Sequence, residues 1–252
     1  MNRTLSAGET LFVGDWESLG MVHLKVPREV LQQSVPFELD LFHDNAFVSL
    51  VFFTMRRMRL ARGLRILNCL FYPFREQRFL NVRTYVRHKG EPGIHFITEW
   101  ISDPVCVHLG PLLYRLPYRY GKHDFRITHQ TYATHVRDRA TGTSLQCEFK
   151  FSGPFHRCEP ESRDEFFFER YAAFNACGRK AKLFRVSHEP WEQCRAELSV
   201  IENSLLRTHF PWFASGRIVG GNYSPGLRDV RIGWPVKVPV CCARPHPSYQ
   251  SA

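Results

Sequence analysis

Nothing in the sequence approaches the run of about 20 consecutive apolar residues that a bilayer-spanning helix requires. The first ten residues, Met1 to Thr10, are polar and carry no apolar signal core, which predicts a cytoplasmic chain. Cysteine occurs eight times, at 69, 106, 147, 158, 177, 194, 241 and 242, but never as C-x-x-C. In a chain of 252 residues that scatter predicts free thiols in a reducing compartment, not a disulfide framework, and the vicinal Cys241-Cys242 reads as an accident of composition. Missing too are G-x-S-x-G, H-E-x-x-H, a P-loop and a G-x-G-x-x-G run ahead of a helix. The twelve His residues do not fall at metal-ligand spacing; His129 and His135, six apart, do not share a helical face. No metal or cofactor is expected. There is no internal repeat and no low-complexity linker.

Lysine is scarce. The formal net charge of +10 is carried mainly by Arg, since only Lys25, Lys89, Lys122, Lys150, Lys180, Lys182 and Lys237 are Lys. A basic surface attracts polyanions without specificity. Here the Arg residues are spread along the chain, with no zinc finger, RNP-like run or basic helix. The densest group, Arg56-Arg57-Met58-Arg59 to Arg65, reads as a solvated loop or strand end. Neither a specific nucleic acid nor a membrane is expected as a partner, and homo-oligomerisation is left open.

What the chain does have is core material: 44% hydrophobic residues, including 21 Phe. That suits a single domain over residues 1–239, followed by a flexible tail at 240–252. Strand-like segments recur at 11–13, 21–26, 118–127, 130–137, 144–151, 171–177, 182–188, 194–201 and 223–238. Two hairpins are expected. Leu39 to Phe42 would turn through His43-Asp44-Asn45 into 46–58, and Phe79 to His88 would turn through Lys89 to Gly93 into 94–102. Helices are expected over 27–33, 104–116, 163–170 and 204–209. Short strands with few helices and no strand–helix alternation argue against a doubly wound parallel sheet. The fold class is mostly β (α+β): an antiparallel β-barrel or cone with a few short peripheral helices.

Candidate chemistry begins at Asn81-Val82-Arg83-Thr84-Tyr85-Val86-Arg87. Alternation places Asn81, Arg83, Tyr85 and Arg87 on one face. That face either meets solvent or lines a cavity, where Arg83 would offer a forked donor to an anion or carbonyl. Leu116-Pro117-Tyr118-Arg119-Tyr120 concentrates aromatics around an Arg, with both Tyr on the face opposite Arg119. Glu169-Arg170-Tyr171 follows Phe166-Phe167-Phe168, so the Glu169 carboxyl is either paired with an Arg or raised in pKa and available for proton transfer. His188 closes a strand ahead of Glu189-Pro190-Trp191. Arg83, Tyr118 and Glu169 are the candidate catalytic residues. Asn81, Arg83, Tyr85, Tyr118, Arg119, Tyr120 and His188 are the candidate ligand-binding set.

Those stretches resemble the YqjF-like proteins of domain-of-unknown-function family 2071. So do Trp16-Glu17-Ser18-Leu19, Val26-Pro27, Val35-Pro36-Phe37-Glu38-Leu39-Asp40, Ala46 to Val51, and Tyr223-Ser224-Pro225-Gly226-Leu227. The resemblance covers roughly residues 10–238. That family is similar to the acetoacetate decarboxylase-like superfamily, which implies a β-barrel or cone around a small pocket. The decarboxylases use a Lys that forms a Schiff base, activated by a neighbouring cation in a Pro-Lys-Lys run. Aligning Pro117-Tyr118-Arg119 with that run leaves the imine-forming amine missing, because Tyr forms no iminium and Arg stays protonated. The expectation is a small-molecule pocket protein. It is either a metal-independent enzyme acting on a small carbonyl or carboxylate compound, or a non-catalytic binder of a small organic acid or hydrophobic ligand; the third reading is a basic interaction module in which the pocket is collapsed.

Overall fold

The computed structural model describes residues 4–62, 76–177 and 180–239. The basic stretch from 63 to Arg65, the thiols Cys69, Cys241 and Cys242, and the tail at 240–252 lie outside them. The elements run in the order β1 (Thr10–Val26), α1 (Arg28–Gln32), β2 (Glu38–Leu39), β3 (Ala46–Leu60), β4 (Glu76–His88) and β5 (Glu91–Ile101). Next come α2 (Cys106–Tyr114), β6 (Tyr118–Ile127), β7 (Thr131–Asp138), β8 (Ser144–Lys150), β9 (His156–Arg157) and α3 (Arg163–Phe168). The chain closes with β10 (Ala172–Cys177), β11 (Lys180–Ser187), β12 (Glu192–Glu202), α4 (Ser204–His209), a short 3-10 helix (Pro211–Ser215), β13 (Arg217–Gly233) and β14 (Val236–Val238). Among the described residues no helix is long and apolar enough to cross a membrane.

The strands form one sheet that closes on itself twice. One ring runs β13-β1-β3-β4-β5-β6-β7-β8-β12 and back to β13. The other leaves β5 through β10 and β11 and returns to β13. The five strands β13, β1, β3, β4 and β5 are therefore a wall common to both rings. Strand alternation gives each face of that wall its own core. Val22, Leu24, Leu50, Phe52, Leu80, Val82 and Trp100 face the first ring, where Tyr132, Leu145 and Phe149 meet them. Met21, Val51, Phe53, Phe79, Tyr85 and Ile101 face the second, where Phe167, Phe168, Phe184 and Trp191 meet them.

Local chemistry explains several joints. Lys89 (φ 52°) and Gly90 (φ 83°) both sit at positive φ, the two-residue turn whose twist suits a hairpin, so β4 and β5 pair as the sequence predicts. The first predicted hairpin does not form as such. Leu39 pairs with Val86 of β4, and β3 pairs with β1 and β4. The antiparallel expectation holds for most pairs, but β5 runs parallel to both β6 and β10. Helix α2 is the crossover that the β5–β6 pairing needs. β1 is a single strand where the sequence suggested two pieces. Irregular pairing between Gly14 and Trp16, and Ser18 at φ 53°, interrupts its alternation. The Arg56 to Arg59 group ends β3 and is ion-paired: Arg56 with Glu17 and Glu76, Arg57 with Asp15, and Arg59 with Asp229.

Candidate functional site

The second ring is not filled. Between the common wall and β10, β11, α2 and α3 lies a cavity of about 250 Å³. By volume that equals about eight waters. Most of its lining is apolar, with Phe53, Phe96, Leu116 and Phe184 among the residues exposed to it. One wall differs. Strand β4 turns Gln77, Phe79, Asn81 and Arg83 toward the space, and β5 adds Glu99, the register partner of Asn81. A bulge between Val82 and Arg83 in the β4–β5 pairing re-aims the strand there.

These polar groups are buried and short of partners. Both amide atoms of Gln77, Oδ1 of Asn81, Nε of Arg83, Oε2 of Glu99 and Nε1 of Trp16 have no hydrogen-bond partner, and all five residues line this cavity. Arg83 Nη2 donates to the Phe167 carbonyl at 2.9 Å, and the guanidinium also hydrogen-bonds the Tyr85 hydroxyl beneath it. Glu99 is 3% exposed. Burial pushes its carboxyl well above the usual range, and the Arg83 guanidinium opposes that shift only in part. Tyr118 opens β6 as the parallel partner of Glu99. Its phenol is raised by burial and by the nearby Glu99, Cys106 and Tyr114. Helix α2 lies directly on that ring at Gly110, where any Cβ would overlap it.

Beneath Arg83 the polar contacts are complete. The Tyr85 hydroxyl is 2.5 Å from Ser49 Oγ, which in turn is 2.8 Å from Nδ1 of His23, and Nε2 of His23 meets Asn222 Oδ1 at 3.1 Å. His23 stacks on Phe167 at 3.8 Å. Burial, with Arg83 and Arg163 nearby, lowers its pKa to about 3, so the ring is neutral.

The predicted residues therefore divide. Asn81, Arg83, Tyr118 and His188 line the one cavity. The His188 imidazole packs against Tyr171, Trp191 and Trp16, donates from Nδ1 to the Glu189 carbonyl at 2.7 Å, and is lowered to about 4 chiefly by burial. Tyr85 sits under the polar wall, outside the cavity lining. Arg119 points to the opposite side of β6, where Nε reaches Asp138 at 3.3 Å. Tyr120 lies beneath the Arg139 guanidinium, 5.8 Å from its ring centre. Glu169 belongs to a wider surface pocket of about 900 Å³. There it accepts from the Tyr171 hydroxyl and the Trp191 amide, and burial raises its pKa.

Gln77 and Glu99 were not singled out from sequence. Extending the alternation of Asn81 and Arg83 two steps back, past Phe79, reaches Gln77. Pairing the two strands of the predicted hairpin reaches Glu99, an acid in an otherwise apolar run. Among the described lining residues there is no Lys. Among the described residues no group of three or more His, Cys, Asp or Glu is placed to hold a metal ion.

Comparison with known proteins agrees with this architecture. Uncharacterized protein YqjF of Bacillus subtilis (strain 168) is 27% identical over 202 residues, covering 77% of this chain and 79% of that protein. The crystal structure of acetoacetate decarboxylase from Legionella pneumophila superposes with a TM-score of 0.65 at 11% identity, covering 94% of this chain and 91% of that one. An acetoacetate decarboxylase-like enzyme from Sphingomonas wittichii RW1 gives 0.65 at 12% identity, covering 95% and 99%. The enduracididine biosynthesis enzyme MppR complexed with pyruvate gives 0.65 at 11% identity, covering 95% and 93%. The fold is thus acetoacetate decarboxylase-like. The model of the family DUF2071, described as an uncharacterized conserved protein, matches residues 14–219, and the chain belongs to that family.

Proposed function

We propose that the protein binds a small compound with a compact apolar body and a carbonyl or carboxylate head inside the second ring. The observation that carries this reading is the gathering of unpartnered, buried polar atoms on one wall of an otherwise apolar cavity. Buried polar groups are normally paired, and a cluster left open in one place is what a ligand head completes. Burial raises the Glu99 carboxyl well above its ordinary range, which favours the neutral form and weakens its compensation of Arg83. An anion or a polarised carbonyl oxygen is the natural complement. Gln77 and Asn81 offer further hydrogen bonds to the same head.

A catalytic use of the site is favoured by one feature, the nearness of the Glu99 carboxyl to the Tyr118 phenol and to Arg83. A carboxyl kept protonated can give a proton to a substrate carbon or oxygen, while Arg83 holds the developing negative charge. The Schiff-base route has no amine among the described lining residues.

The test is thermal-shift titration with 2-keto acids, matched carboxylates and matched alcohols, on the wild type and on Arg83→Ala and Asn81→Ala. Acids should stabilise the wild type, alcohols should not, and Arg83→Ala should weaken the response at least about tenfold. An equal response from Arg83→Ala would end the assignment. NMR of any stabilising compound after incubation would then separate binding from turnover.

A further inference from the structure

The outer face of α2 is the most apolar exposed surface of the described residues. Ten large hydrophobic side chains are exposed among the described residues, and four of them, Val105, Leu109, Leu112 and Leu113, form a single stripe at i, i+4, i+7 and i+8 along α2 and its leading residue. Leu112 is 74% exposed. Trp234, also exposed, follows Gly233 beside the same helix. The Tyr114 hydroxyl donates to the Gly233 carbonyl, and β14 pairs with β11 next to Lys182, whose ammonium donates to the last carbonyls of α2. Four of the ten exposed hydrophobic residues thus share one helix face, which scattered surface residues do not do.

The rim of this patch is cationic. Arg115 ends the helix, Lys182 lies under it, and Lys237 is the register partner of Lys182. The three sit close enough that Arg115 and Lys237 both depress the Lys182 ammonium. Asp103, at the other end of the helix, accepts from the amides of Val105 and Cys106. An anionic surface matches both parts at once. Leucines and a Trp bordered by Lys and Arg suit the boundary between lipid headgroups and acyl chains.

We propose that the α2 face docks on an anionic phospholipid surface. The lack of a bilayer-spanning helix leaves such a peripheral contact open. The docking face also borders the cavity, because Leu109 and Leu113 are exposed outside and line the cavity within. If the pocket reading holds, the ligand passes between bilayer and cavity along this helix, and its apolar body makes it lipid-soluble.

The experiment is co-sedimentation of the whole protein with phosphatidylcholine vesicles, with and without phosphatidylglycerol, at low and high salt. Leu112→Asp and Lys237→Ala are compared with the wild type; Leu112 does not line the cavity, so pocket function does not enter the readout. We expect binding to the phosphatidylglycerol vesicles only, weakened by salt, about tenfold lower in Leu112→Asp and about fivefold lower in Lys237→Ala. Circular dichroism checks that both variants are folded. Absence of vesicle binding by the wild type, or equal binding by Leu112→Asp, overturns the proposal. So does a concentration-dependent dimer that Leu112→Asp abolishes in the absence of vesicle binding, which would give the face to a second copy.

Discussion

The two rings share one wall and use its faces in opposite ways. Toward the first ring the wall is apolar almost throughout, and the aromatic side chains of β7 and β8 fill the space. Phe52 meets Phe149 edge-on at 5.9 Å, and Tyr132 stacks near Phe149 at 6.0 Å. Toward the second ring the same strands place His23, Ser49, Gln77, Asn81, Arg83, Tyr85 and Glu99 between apolar neighbours, and the space is left partly empty. A buried polar row costs stability unless it is paired. The lower members of this row are paired with one another, and the upper members face the cavity. The contrast separates a face that holds the molecule together from a face kept for chemistry.

The contrast can be broken or sharpened experimentally. The largest effect is expected in the filled ring: Phe149→Ala should cost about 3–5 kcal/mol in urea unfolding. Phe96→Ala, on the cavity side, should cost clearly less, because it widens an existing space. Equal losses would mean that the second ring is as tightly packed as the first. Gly110→Ala should come next, at about 1–3 kcal/mol, because the added methyl overlaps the Tyr118 ring and must displace α2. If Gly110→Ala proved neutral, α2 would not be seated on that ring.

Two predictions concern pH. His23 falls from 6.5 to about 3 in the folded protein, so its stabilisation is present above 6.5 and is lost as the pH falls toward 3. The slope is at most about 1.4 kcal/mol per pH unit. His23→Gln should flatten the acid limb of the stability curve over that window. An unchanged limb would show that His23 is not the group that titrates. The smallest effect, of opposite sign, belongs to Glu99. Its folded pKa lies above the ordinary 4.5, so its favourable contribution is complete below 4.5 and declines as the pH rises through the folded value. Glu99→Gln should therefore gain melting temperature over wild type as the pH is raised above 4.5. A gain that does not vary with pH would remove the protonated carboxyl from the site.

How much of this was legible in the sequence follows from the same wall. The polar alternation of Asn81, Arg83 and Tyr85 is a period-2 signal within one strand, and two of its members, Asn81 and Arg83, line the cavity. Glu99 and Gln77 escaped because their meaning depends on which residue lies across the pair, and register is a tertiary fact. Tyr120 shared a predicted face with Tyr118, and Arg119 took the other, yet only Tyr118 lies where β6 starts beside Glu99. Glu169 was read as acidic beside dense hydrophobicity, which is correct locally, but its partner Tyr171 holds it in a different pocket. The family resemblance supplied the closed sheet. The doubling of its closure, through β10 and β11, has no signature in composition or period.

The common wall also governs how the molecule comes apart. Loss of any of its five strands opens both rings together, so neither half can be released while the other stays shut. Amide protons along β1, β3 and β4 should therefore be the slowest in the protein to exchange with solvent, and should do so on one timescale. A molecule occupying the hollow side would slow exchange on the solid side as well, although it touches nothing there.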